Sequence, residues 1–147
     1  MEKKPLGGSY MFGIVIATHS DFAEGLRHSA EMIAGPQENL ETVCFYNGES
    51  IEDLTARIVK IAGTFAEKKL PVIYVADMSG ASPFNACLLS AAVYPGPVIA
   101  GACLPLILEL VLTRDNAEEG NLINYANDVI KTVKDNLTVA DIKEMMG

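Results

Sequence analysis

Two side chains capable of nucleophilic chemistry follow apolar stretches of the chain. His19 lies just after the apolar run 12–17, and Asp77 directly follows the β-branched run 71–76. A neutral imidazole is a competent nucleophile near pH 7, and a carboxylate on one ring nitrogen fixes the tautomer and leaves the other nitrogen free to attack. If the two runs are neighbouring strands, Asp77 is placed to orient His19.

The segment after Asp77 has the composition of an anion-binding loop. Ser82 is a favourable N-cap and Pro83 a favourable first helical residue, while Gly80 and Ala81 let the backbone approach a ligand closely. Exposed N–H groups at a helix start attract phosphate. A nucleophilic histidine, an orienting carboxylate and an anion cradle together indicate phosphoryl transfer through a phosphohistidine.

Several of these residues also have an ordinary structural interpretation. Asp77 could cap a loop, and Ser82 could serve only as a helix cap. Asp21, with Glu24 three positions later, is interpreted as the capping box of a helix. His28 falls in a mostly polar stretch and is expected at the surface.

Other kinds of site do not fit the spacing. A G-x-S-x-G elbow centred on Ser82 would need glycine two residues later, where this chain has Phe84. Neither a Walker loop nor a G-x-G-x-x-G motif is present. The two histidines lie far from any cysteine pair, so no metal site is expected. No cofactor is expected either.

Composition restricts the class of protein and its location. The formal net charge of −8 argues against binding to nucleic acid, whose binders carry a basic face.

An odd number of cysteines without C-x-x-C spacing fits neither a disulfide framework nor a zinc cluster, and a free cysteine in an apolar stretch is usually a small buried hydrophobe. No signal peptide is apparent near Lys3 and Lys4. A cytoplasmic location is therefore expected. The three cysteines are Cys44, Cys87 and Cys103.

Short apolar runs alternate with amphipathic ones along the chain, which predicts an α/β fold. We expect a doubly wound, mainly parallel sheet of four strands in the order 2-1-3-4, with helices on both faces. Residues 1–10 are interpreted as an N-terminal extension and 11–147 as a single domain. The predicted strands are 12–17, 40–46, 71–76 and 98–102, and the predicted helices begin near Asp21, Ser50, Pro83, Leu106 and Glu118.

Some expectations concern single elements. On the first helix, Phe22, Leu26, Ala30 and Ile33 are predicted to face the core, and the last long helix is predicted to reach Asn136. The tail after Asn136 is ambiguous. It fits either a short antiparallel edge strand at 137–139 or a final helix from 138.

In these motifs and their order, the chain resembles the IIA domains of the mannose-type (mannose, fructose, sorbose) sugar phosphotransferase systems. The resemblance covers about residues 12–136. It rests most on Thr18-His19 after the first strand, combined with Asp77, Gly80 and the Ser-Pro-Phe-Asn-Ala block at 82–86. Further matches are found at 13–17, 22–26, 29–33, 35–39, 48–49, 99–101 and 104–105.

The resemblance implies a phosphotransferase that works through a phosphohistidine. The matching histidine, His19, accepts a phosphoryl group from phospho-HPr and passes it to a cognate IIB protein, here expected as a separate chain. A membrane IIC/IID permease is an indirect partner, and a homodimer is implied, with residues near 135–142 contacting the other subunit. Asp77 orients the histidine. The implied phosphoryl-binding residues are Thr18, Ser79, Gly80 and Ser82.

The chain departs from the usual pattern of these domains at a few positions, and two other functions remain open. Ser20 and Ala81 each replace a common glycine, and Cys103 replaces a common asparagine. The first alternative is the phosphocarrier subunit of a dihydroxyacetone kinase, which Ser20 favours and the Ser-Pro-Phe-Asn block disfavours. The second is a flavodoxin-like binding module without covalent chemistry, which would need a hydroxyl-rich loop after the first strand.

Overall fold

A single four-stranded sheet forms the centre of the molecule in the computed structural model, which describes residues 11–147. Every neighbouring pair of strands is parallel, and the spatial order is β2-β1-β3-β4. The predicted order 2-1-3-4 is confirmed. The strands are β1 (Gly13–His19), β2 (Leu40–Phe45), β3 (Val72–Ala76) and β4 (Val98–Ala100).

Helices cover both faces of the sheet, as predicted. One core cluster contains residues of α1, α4 and α5, and the other contains residues of α2 and α3. The helices are α1 (Phe22–Ala34), α2 (Ile51–Glu67), α3 (Ser82–Val93), α4 (Leu104–Leu112), α5 (Leu122–Val133) and α6 (Ile142–Met146), with a 3₁₀ turn at Arg114–Asn116. No helix in the described part of the chain combines the length and apolarity needed to cross a membrane.

The sequence of β1 explains why it occupies the middle of the sheet. Ile14 and Ile16 pack into the first core cluster, while Val15 and Ala17 pack into the second. Because successive side chains of a strand point to opposite faces, a run that is apolar at every position is stable only between two helical layers. The first polar side chain to reach the surface is therefore that of His19, at the carboxyl end.

The start of α1 differs from the predicted capping box. Asp21 makes no capping hydrogen bond with its side chain; instead the Tyr46 hydroxyl donates to it at 2.5 Å. Glu24 accepts from the Thr42 hydroxyl. The cap comes from the end of β1, where the Thr18 hydroxyl accepts from the Ala23 N–H at 2.7 Å. Contacts with Thr18, Thr42 and Tyr46 thus replace the local motif.

The apolar face of α1 was also predicted imperfectly. Phe22 and Ile33 are exposed, whereas Ala23, Leu26 and Ala30 are buried. These three residues follow the spacing i, i+3, i+7, which defines one stripe of a helix. At the start of α2 the prediction holds, because the Ser50 hydroxyl accepts from the Asp53 N–H at 3.1 Å.

The C-terminal third differs most from the prediction. Helix α5 begins later than expected, because Gly120 adopts a left-handed φ of 79° just before it, and it ends at Val133 rather than at Asn136. Residues 137–139 pair with no strand in this single chain, so the sheet of the described residues is wholly parallel. The final helix begins at Ile142 rather than at 138.

Candidate functional site

The carboxyl ends of β1 and β3 bring the two predicted residues together. His19 is the last residue of β1, and Asp77 directly follows β3. The two strands are hydrogen-bonded neighbours, with Ala17 opposite Ala76. Strand order reverses at this point of a doubly wound sheet, so the loops diverge and leave a crevice.

Asp77 holds His19 through a single oxygen. Its Oδ2 accepts from the backbone N–H of His19 at 3.0 Å and lies 2.8 Å from the ring Nδ1. An ionised carboxylate can only accept, so Nδ1 carries the proton and Nε2 presents a lone pair. The His19 side chain is 46% exposed and that of Asp77 is 14% exposed. The free nitrogen therefore belongs to an accessible ring anchored to a mostly buried carboxylate.

The second oxygen of Asp77 faces the interior. Oδ1 is buried and has no hydrogen-bond partner among the described residues. Cys87 of α3 is fully buried on this side of the sheet, where desolvation, aided by the negative charge of Asp77, raises the pKa of its thiol to about 12. At neutral pH the Cys87 thiol therefore stays protonated, which makes it a poor nucleophile.

Thr18 lies inside the protein rather than on the surface of the site. Its side chain is fully buried, and its hydroxyl accepts from the Ala23 N–H and donates to the His19 carbonyl at 3.2 Å. The hydroxyl thereby joins the end of β1 to the start of α1. Of the four residues expected at the phosphoryl group, Thr18 has a side chain that is fully engaged in local structure.

The loop before α3 differs from the prediction in one respect. Ala81, not Ser82, occupies the N-cap position, and Ser82 is the first helical residue with Pro83 after it. Gly80 has a left-handed φ of 81°, which favours glycine. Its carbonyl accepts from the Asn85 side chain at 3.2 Å. Ser79 and Gly80 are exposed beside the first turn of α3, where backbone N–H groups lack helical acceptors.

Two contacts next to His19, both made by Phe45, were not predicted from the sequence. The ring of Phe45, at the end of β2, lies edge-on to the imidazole with 6.2 Å between centroids and an interplanar angle of 71°. Ser20 has a left-handed φ of 52°, and its N–H donates to the Phe45 carbonyl at 2.7 Å. A usable signal was available, because Phe45 lies near the carboxyl end of the predicted strand 40–46, at the same sheet edge.

Other polar groups lie on α1 and after β2, further from His19. The hydrogen bond that Tyr46 donates to Asp21 is the main reason why the pKa of the Tyr46 phenol is raised, since ionisation would remove the donated proton. His28 is exposed on α1, with its Nε2 3.5 Å from Glu24, which confirms its predicted surface position.

Together, the fold and the site define a doubly wound α/β protein with an exposed, carboxylate-oriented histidine at the switch point of its sheet. The model of the family described as "PTS system fructose IIA component" matches residues 13–127, which is most of the chain. The chain belongs to this mannose family of IIA components of the sugar phosphotransferase system (PTS), as the sequence resemblance predicted.

Individual relatives agree with this assignment. The chain is 30% identical over 115 residues to the PTS system fructose-specific EIIA component of Bacillus subtilis (strain 168), covering 78% of each chain. It is 36% identical over 110 residues to the PTS system mannose-specific EIIAB component of Escherichia coli (strain K12). That match includes 70% of this chain but only 32% of the longer relative, so the chain corresponds to about a third of that protein.

Solved structures show the same architecture. The phosphotransferase system component EIIA from Streptococcus agalactiae superimposes with a TM-score of 0.77 at 26% identity, covering 91% of this chain and 99% of that one. The PTS IIA protein associated with the fucose utilization operon of Streptococcus pneumoniae gives a TM-score of 0.77 at 22% identity, covering 95% and 98%. At 22% identity, the second structure shows only that the fold is shared.

Proposed function

We propose that this protein is a phosphocarrier in which Nε2 of His19 accepts a phosphoryl group from phospho-HPr and passes it to a cognate IIB protein. A phosphohistidine is the intermediate, and the membrane IIC/IID permease is served indirectly. The reaction takes place in the cytoplasm, with no cofactor. Membership in the IIA family supports the general role, and the geometry of His19 supports the step assigned to it.

The observation that carries this proposal is the 2.8 Å contact between Nδ1 of His19 and Oδ2 of Asp77. This contact fixes the tautomer whose lone pair is on Nε2, the nitrogen not engaged by Asp77. The carboxylate also stabilises the positive charge that the imidazole acquires as its free nitrogen forms a bond. The pair thus favours attack by one defined atom.

The transfer balances without a further reactant. The phosphorus–nitrogen bond of phospho-HPr breaks as the bond from phosphorus to Nε2 of His19 forms, and the leaving imidazole of HPr keeps the electron pair. The proton on Nδ1 of His19 stays in its hydrogen bond with Asp77. The second transfer, to IIB, repeats the exchange in the opposite sense. The enzyme's contribution is positioning and charge stabilisation.

The loop before α3 supplies the proposed contacts to the phosphoryl oxygens. Ser79 and Gly80 are exposed in the loop after β3, at the same end of the sheet as His19. Ser82 is the first residue of the twelve-residue helix α3. Hydroxyl and N–H donors at a helix start suit three negatively charged oxygens. In this proposal Thr18 acts indirectly, by fixing the backbone on either side of His19.

We also propose that the protein is a homodimer joined near its C-terminus. Strand β4 is an edge of the sheet and borders an apolar groove of about 390 Å³. Leu137 and Val139 of the tail are each 97% exposed in the single chain. Unpaired edges and exposed apolar side chains are both costly, and a partner's tail on this edge would cover them. The groove is lined by Ala100, Gly101, Pro105, Leu106, Ile130 and Val133, and Leu137 of the same chain lies at its margin.

A labelling experiment tests the phosphocarrier proposal. The protein is incubated with labelled phosphoenolpyruvate, enzyme I and HPr, and label is expected to appear on the wild type and on His28→Ala but not on His19→Ala. Unphosphorylated HPr, added afterwards, is expected to discharge the label because the transfer is reversible. Wild-type labelling of His19→Ala would refute the assignment. The two variants are a matched pair, since the chain contains only two histidines.

A further inference from the structure

We infer that Phe45 is a positioning residue for phosphoryl transfer, which holds the His19 ring from the side opposite Asp77. This inference rests on the proposed function, because the step that it serves is attack by Nε2. His19 and Phe45 are directly opposite each other in the parallel pairing of β1 and β2. The nucleophile therefore has one contact from β3, through Asp77, and one from β2, through Phe45.

The Asp77 contact alone leaves the imidazole rotational freedom. A single ring hydrogen bond fixes the position of Nδ1, but the remainder of the ring can pivot about that contact. The side chain is 46% exposed, so packing restricts it on only part of its surface. A pivot moves Nε2 away from the line of attack, and misplacement of a reacting atom by about 1 Å can cost roughly a hundredfold in rate.

The geometry of Phe45 supplies the missing restraint. Its ring meets the imidazole at 71° with 6.2 Å between centroids, which is an edge-to-face arrangement. Aromatic pairs prefer this arrangement because the positive edge of one ring faces the negative face of the other. Phe45 is itself half-buried and packs against the core cluster that includes Val43 and Leu54. A ring supported in this way can restrain its neighbour.

The backbone strengthens the same contact. The Ser20 N–H donates to the Phe45 carbonyl at 2.7 Å, although Ser20 must adopt a left-handed φ of 52°. That conformation is uncommon for a residue with a side chain and costs free energy. It ends β1 immediately after His19 while keeping the pairing with β2. The main chain and the aromatic ring of Phe45 thus restrain the nucleophile together.

The reaction with a small phosphoryl donor separates positioning from protein docking. Phosphoramidate can phosphorylate histidine as its phosphorus–nitrogen bond breaks, ammonia leaves and a bond from phosphorus to Nε2 forms. With His28→Ala as the background, label reports His19 alone. We expect Phe45→Leu, which removes the ring, to slow uptake by about three- to tenfold, the range expected for loss of an aromatic pair. Phe45→Tyr keeps the ring and is expected to retain the parent rate.

A second readout follows the imidazole directly. Three-bond NMR couplings that report the χ1 angle of His19 are expected to show one rotamer in the parent and in Phe45→Tyr, and averaging in Phe45→Leu. Phe22→Leu is the matched control, because Phe22 is also partly exposed near the site but forms no aromatic pair with His19 in the described residues. Phe45→Met replaces Phe45→Leu if the latter does not fold.

The outcomes are distinguishable. Parent-like couplings and a parent-like phosphoramidate rate in Phe45→Leu would overturn the inference. A loss confined to phosphoryl transfer from HPr would also overturn it and would assign Phe45 to partner contact. If His19 took up no phosphoryl group in the parent, the proposed function would fail, while the couplings would still decide whether Phe45 holds the ring.

Discussion

His19 and Asp77 are joined twice through one atom: both the backbone N–H and the ring Nδ1 of His19 lie within hydrogen-bond distance of Oδ2 of Asp77. The backbone contact fixes the carboxylate relative to β1, and the ring contact fixes Nδ1 of the imidazole relative to the carboxylate. Both strands lie in the interior of the sheet, so this pair is attached to the buried centre of the fold. The position of Nδ1 thus follows from the pairing of β1 and β3.

Loss of the charge on Asp77 is expected to slow phosphoryl transfer. Asp77→Asn keeps the shape of the side chain but no longer stabilises the cationic imidazole, and its amide group can select the wrong tautomer. We expect the rate of phosphorylation by phospho-HPr to fall by roughly 10- to 1000-fold in a folded protein. Rapid-quench measurement of labelled protein gives the rate. A variant with the wild-type rate would show that Asp77 does not orient His19.

Removal of the Thr18 hydroxyl is expected to destabilise the fold. Thr18→Val preserves the volume but leaves the buried Ala23 N–H without its acceptor. We expect the free energy of unfolding to drop by about 1–2 kcal/mol, the usual cost of losing a helix cap at a buried position. Urea denaturation measures the change. Thr18→Ser is the control, since it keeps the oxygen, and equal stability of Thr18→Val and wild type would contradict the capping role.

The fold and the position of the site follow from particular patterns in the sequence. The runs 12–17 and 71–76 are apolar at successive positions, which specifies strands between two layers, and the first polar residues after them are the site residues. The contacts of Asp21 and Thr18 could not be predicted from such patterns. Asp21 meets Tyr46 across 25 residues, and Thr18 caps a helix from within a strand. Such pairings depend on how β2 lies beside β1.

Other differences have local physical causes. Gly120 delays the start of α5 to Leu122 because its backbone is left-handed, which a periodic pattern of apolar residues does not reveal. Phe22 fits the helical spacing of apolar residues, yet it is exposed, and the smaller Ala23 is buried instead. Close packing at the end of β1 selects the small residue, and hydrophobicity alone does not predict that choice.

The buried thiol of Cys87 is expected to make stability depend on pH. Its folded pKa of about 12 lies above that of a free cysteine, so its contribution is complete below about pH 8.5 and is lost as pH rises towards 12, because the unfolded chain gains by ionising. Between pH 8 and pH 10 the free energy of unfolding is expected to fall by about 2 kcal/mol more in wild type than in Cys87→Ala. Urea denaturation at the two pH values provides the comparison. Equal losses would show that Cys87 titrates normally.

The proposed dimer makes a prediction about the tail. Sedimentation at micromolar concentration is expected to show a dimer for the whole chain and a monomer after deletion of everything beyond Asn136. The double variant Leu137→Asp, Val139→Asp is a finer test, because both side chains are exposed in the single chain and the changes leave its core intact. A whole chain that sediments as a monomer would refute the dimer. A dimer that survives the deletion would show that the tail does not join the subunits.

The most direct test of the account is the identity of the phosphorylated atom. Protein labelled with ¹⁵N in its histidine rings is phosphorylated by phospho-HPr, and ³¹P and ¹⁵N NMR then identify the nitrogen that carries phosphorus. The contact between Nδ1 of His19 and Asp77 predicts a single phosphohistidine, at Nε2 of His19, with the proton retained on Nδ1. Phosphorus on Nδ1 of His19, or on His28, would contradict the account.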